Sequence, residues 1–158
     1  MNPIFTRLGA RRLHDNPDPL HDLDIEQHLG IKFPDDLMSL LMELRGAVFF
    51  DNRALFKPLE PCGSEDKRGY NWINLLFGVG KGMYGIKELN QPSDRLPDGL
   101  VAIGQTPGGD RICLDRDTME VYHWDHEGDE EDAVTLIAHD FDSFIASLKT
   151  GEEVEAEG

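Results

Sequence analysis

Thr106-Pro107-Gly108-Gly109 constrains this chain more than any other four residues. Proline suits the second position of a type II turn, because its ring holds φ at about −65°. Glycine suits the third position, where φ must be positive. On either side stand short runs rich in branched residues, LVAIG (100–104) and RICLD (111–115), which read as strands. The segment is therefore expected to be the turn of a β-hairpin. A phosphate-cradling loop would pass its glycines to a helix N-terminus, and no helix is expected here.

The strand series continues in EVYHWD (120–125), after a turn at DRDTM, and in VTLIA (134–138). AVFF (47–50), ALFKPL (54–59) and NWINLLF (71–77) have the same aromatic and branched character between turn formers. Helical spacing occurs elsewhere. Asp22 or Asp24 can cap a helix carrying Ile25 and Leu29, with Gly30 just past its end. Pro34, Asp35 and Asp36 suit the first turn of a second helix, and Leu37, Leu40, Leu41 and Leu44 form one apolar stripe that ends at Gly46. A turn or two of helix is expected before Pro97. Asp140 can cap a closing helix with Phe141, Phe144, Ile145 and Leu148 on one face. The expected organisation is an extended lead-in over 1–21, a single domain over 22–149 and a disordered acidic tail over 150–158.

Charge narrows the partners. The chain has 31 acidic residues against 15 Lys and Arg, a net charge of −16. Ten of the acids fall in two places: Asp125, Glu127, Asp129, Glu130, Glu131 and Asp132, and then Glu152, Glu153, Glu155 and Glu157. Setting those aside leaves 21 acids against 15 bases, so the excess is concentrated. A polyanion repels nucleic acid and anionic lipid, and neither is an expected partner. A basic protein surface is the complementary choice. Met1 to Pro19 has no apolar stretch of the kind a secretory leader needs, and Cys62 and Cys113 make no disulfide framework. A cytoplasmic setting is expected.

The chemical motifs are weak. Gly78, Gly80 and Gly82 follow a strand, but a dinucleotide fingerprint needs glycine where Met83 stands, and no Ser or Thr follows Gly-Lys as a P-loop requires. A flexible loop that helps shape a surface is expected instead. His123 and His126 lie three residues apart, so on one strand they face opposite sides and cannot share a metal unless the strand ends between them. No local partner activates Cys62 or Cys113. No catalytic residue, cofactor or metal is expected.

The order of elements carries a resemblance. IEQHLGIKFPDDLMSLLMELRG, LPDGLVAIGQTPGGDRICLDRDTMEVYHWDHEG and IAHDFDSFIASL, over about residues 22–149, resemble the SUKH superfamily. That family groups Smi/Knr cell-wall-assembly regulators with bacterial immunity proteins. The likeness rests on Leu29-Gly30, Phe33-Pro34, Gly46, Leu100–Gly104, Gly108-Gly109-Asp110, Ile112–Asp115, Val121–Glu127 and Phe141, Phe144 and Ile145. It implies an α+β fold, a central and mostly antiparallel sheet of about six strands with helices packed on it. It also implies a non-catalytic protein that blocks a toxin of the nuclease or nucleic-acid deaminase type, the alternative being a regulatory scaffold for an endogenous partner. Asp110, Trp124, Asp125, Glu127, Asp129, Glu130, Glu131 and Asp132 are the expected partner-binding residues.

Overall fold

The Thr106–Gly109 segment closes a hairpin, as its residues require. Gly108 has φ +93°, and the Gly109 amide donates to the Thr106 carbonyl at 3.1 Å. The structure is a computed structural model and describes residues 1–18, 25–80, 84–128 and 133–157. Its elements in chain order are α1 (Pro3–Arg7), β1 (Ala10–Arg12), α2 (Ile25–Leu29), α3 (Asp35–Leu44), β2 (Val48–Phe50), β3 (Leu55–Phe56), β4 (Asn71–Trp72) and β5 (Leu75–Leu76). Two short 3-10 turns (Glu88–Asn90 and Pro92–Asp94) precede β6 (Leu100–Gln105), β7 (Arg111–Asp115), β8 (Val121–Trp124), β9 (Val134–Ala138), α4 (Phe141–Ser147) and α5 (Gly151–Ala156).

The architecture is α+β. Seven strands form one sheet in the order β1-β2-β5-β6-β7-β8-β9, and every pairing in it is antiparallel. β3 and β4 make a separate two-stranded sheet. The run 71–77, which reads as one strand, is thus divided. Its first half pairs with β3, the Asn74 amide donates to the Gln105 carbonyl at 2.8 Å, and its second half pairs with β6. β6 is buried along its first five residues, the pattern of a strand covered on both faces. β8 alternates, with Val121 and His123 buried and Tyr122 and Trp124 half-buried.

α3 shows why the leucine stripe exists. Leu37, Leu40 and Leu41 are fully buried, each contributing roughly 1.5–3 kcal/mol gross. The helix stops one residue before Gly46, because Arg45 itself takes the left-handed conformation (φ 54°) and donates its amide to the Leu41 carbonyl at 2.9 Å. α4 is capped as expected, with the Asp140 carboxylate accepting from the Ser143 amide at 2.7 Å. Phe144 meets Phe56 edge-on, ring centroids 5.3 Å apart. The expected caps Asp22 and Asp24 lie outside the described residues.

Both termini differ from expectation. The lead-in begins with a helix: Asn2 caps it, Pro3 occupies its first turn, and Phe5 is buried. β1 then adds itself to the edge of the sheet through Ala10↔Phe50 and Arg12↔Val48. Asn2-Pro3 carried this signal; the prolines further along hid it. The tail, expected to be disordered, forms α5. Thr150 and Glu153 make a reciprocal capping box, and Val154 is buried against Leu55 and Tyr70.

Candidate protein-binding site

Of the expected partner-binding residues, Asp110, Trp124, Asp125 and Glu127 lie at one end of the large sheet, where the β6–β7 turn lies beside the end of β8. Asp110 is the last residue before β7, and its carbonyl accepts from the Thr106 amide at 2.9 Å. Arg111 is in register with Trp124, and Ile112 with His123, so the β7–β8 ladder brings Asp110 next to the segment leaving β8.

That segment turns at once. The Asp125 amide donates to the Ala133 carbonyl at 2.8 Å, its carboxylate accepts from the Glu127 amide at 2.9 Å, and the Gly128 amide donates to its carbonyl at 3.1 Å. A turn stabilised by an aspartate side chain in this way swings the next residue back over the strand end. β8 therefore ends between the two histidines, which is the condition for their convergence. Both reach Asp110. His126 Nδ1 lies 2.7 Å from one carboxylate oxygen, and His123 Nε2 lies 3.2 Å from the other. His123 is buried, and its Nδ1 makes no hydrogen bond. Burial holds its pKa below the ordinary imidazole range, against the opposing pull of Asp110 and Asp125.

Beside this cluster opens a cavity of about 1080 Å³, bordered by Tyr84, Arg95, Gln105, Arg111, Trp124 and His126. Arg111 is held in its wall by hydrogen bonds to the Gln105 side chain (3.0 Å) and the Gly109 carbonyl (2.9 Å), with its guanidinium 5.4 Å above the Phe77 ring. Trp124 is half-buried and packs on the core, whereas Glu127 is 84% exposed. The cavity lining carries two acids, Asp94 and Asp98, and two arginines, Arg95 and Arg111. Of the residues expected from the sequence, Asp110, Trp124, Asp125 and Glu127 lie in or beside this region, and the structure adds Tyr84, Arg95 and Arg111, whose lining of a common cavity has no local signature. Asp129, Glu130, Glu131 and Asp132 lie outside the described residues. Gly128 and Ala133 line the cavity.

The cysteines are not poised for nucleophilic work. Cys113 is fully buried in β7 and its thiol is pushed far up by burial, while burial also raises Cys62, whose neighbours are Ser64 and Asn71. The glycines after β5 serve packing. A side-chain carbon on Gly78 would stand 2.5 Å from the Gly46 backbone. Residues 81–83 of that loop lie outside the described residues. Among the described residues, no helix is long and apolar enough to cross a membrane.

The chain is 29% identical over 154 residues to the SPbeta prophage-derived uncharacterized protein YokK of Bacillus subtilis (strain 168), covering 85% of this chain and 75% of that one. No solved structure gives a significant match. The model of the SMI1 / KNR4 family (SUKH-1) matches residues 23–147. On that span, which takes in α2 through α4 and all of the site, this chain belongs to the SMI1 / KNR4 (SUKH-1) family.

Proposed function

We propose that this chain is a non-catalytic, cytoplasmic immunity-type protein that neutralises a toxin of the nuclease or nucleic-acid deaminase class by protein–protein contact. The observation that carries this reading is the site itself. Asp125 and Glu127 alternate along the chain with Trp124, His126 and Gly128, which line a cavity of about 1080 Å³, in a chain of the SUKH family. A toxin that acts on nucleic acid needs a cationic cleft, and an acidic edge competes for it. Long-range attraction speeds the encounter, and an aromatic side chain in a pocket slows departure. Asp110 adds charge beside His126, and Asp129, Glu130, Glu131 and Asp132 are proposed as further charged contacts from their sequence alone. Arg95 and Arg111 sit inside the cavity and would receive an acidic group of the partner.

The test is stopped-flow association with the toxin domain encoded beside this gene, together with co-expression. The expected result is protection of the host and an association rate that falls steeply with added salt. A salt-independent rate would overturn the electrostatic part of the reading. Absence of both complex and protection, with a housekeeping protein retained instead, would favour the scaffold role.

A further inference from the structure

We infer that Asp110, Asp125, His126 and His123 form a binding site for a divalent transition-metal ion of the zinc class. The sequence led to no such expectation, because two histidines three apart on a strand face away from each other. The end of β8 at Trp124 removes that objection.

Two independent observations support the site. Asp110, Asp125 and His126 each offer one ligand atom, and the three atoms lie within 4.8 Å of one another. Ligand atoms about 2.0–2.1 Å from a tetrahedral ion stand roughly 3.3 Å apart, so small side-chain rotations close the set around one ion. Separately, His123 approaches from the core side. It is 1% exposed, Nδ1 has no hydrogen-bond partner, and Nε2 is 3.2 Å from Asp110 Oδ2. That separation is close to the edge of a zinc tetrahedron. A buried imidazole aimed at a carboxylate shared with a second imidazole, and left with an unpartnered nitrogen, supplies a fourth donor on the core side of the set. His126 keeps the proton on its far nitrogen when Nδ1 coordinates, and that nitrogen lies 3.8 Å from a carboxylate oxygen of Glu127.

Two nitrogens and two carboxylates favour zinc, cobalt or nickel over magnesium and calcium, which take six or more oxygens. A bound ion would tie the β6–β7 turn to the end of β8 and fix the root of the acidic edge. It would bind whether or not a partner protein does.

The full chain, stripped with a chelator and dialysed, is titrated with zinc chloride by calorimetry and with cobalt by visible absorption. The expected result is about one equivalent bound, the intense visible bands of tetrahedral cobalt, and a melting temperature that rises with free zinc. Asp110→Asn and His126→Gln should each weaken binding at least about tenfold, while Glu152→Gln leaves it unchanged. His126 is exposed enough that His126→Gln should fold, which circular dichroism checks; His123→Asn then asks whether the buried ring is a ligand. No saturable binding by the folded chain, or binding that survives Asp110→Asn and His126→Gln together, would overturn the site.

Discussion

The described acids of the two acid-rich segments are put to different uses. In α5, Glu153 pairs with Arg7 and caps its own helix, and Glu157 accepts from the Tyr70 hydroxyl at 2.8 Å and pairs with Lys149. Val154 supplies the apolar anchor. After β8, Glu127 points into solvent, and Asp125 uses its carboxylate to shape the turn that exposes it. Acid density alone does not decide whether a segment is surface charge or structure. What decides is whether bases and an apolar anchor wait for it elsewhere in the chain: Arg7 is 146 residues from Glu153.

The largest effect that would sharpen this contrast is Val154→Ala. Removing a buried side chain from the α5 contact should cost about 1–3 kcal/mol by chemical denaturation, which a disordered tail could not do. Thr150→Ala removes the cap and should cost about 1 kcal/mol. A cost near zero would mean that α5 does not hold the sheet edge. Acid gives a third view. The carboxyls of Glu153 and Glu157 are held below their ordinary range, by the Thr150 amide and Arg7 in one case and by Lys149 and Tyr70 in the other. Each binds protons more weakly folded than unfolded. Their stabilisation is therefore complete above the ordinary glutamate value and is lost as pH falls through the depressed one. Hydrogen exchange at the Val154 amide should accelerate in acid before exchange in β6 does. The smallest effect on stability is expected from Glu127→Gln, within about 0.5 kcal/mol of the parent. The same change should slow association with a basic partner at low salt, and a stability loss as large as that of Val154→Ala would erase the distinction between the two segments.

Much of the fold is legible without coordinates because its signals are local. Pro107-Gly108 specifies a turn through the torsions those residues allow, and Leu37, Leu40 and Leu41 share a helix face through their spacing alone. The site is legible only in part. Asp110, Trp124, Asp125 and Glu127 stand out by charge and aromatic character next to turn formers. Arg95 and Arg111 do not, since an arginine looks the same whether it lines a cavity or a free surface.

From the residue order alone come the hairpin, the leucine helix, the capped closing helix and the strongly anionic character, all set by torsional preference, periodicity and composition. Only the tertiary structure brings His123 and His126 to one carboxylate, seats β1 on the sheet edge, splits residues 71–77 between two sheets and docks α5. Each of these depends on contacts between residues far apart in the chain, and such contacts leave no periodic trace in either partner.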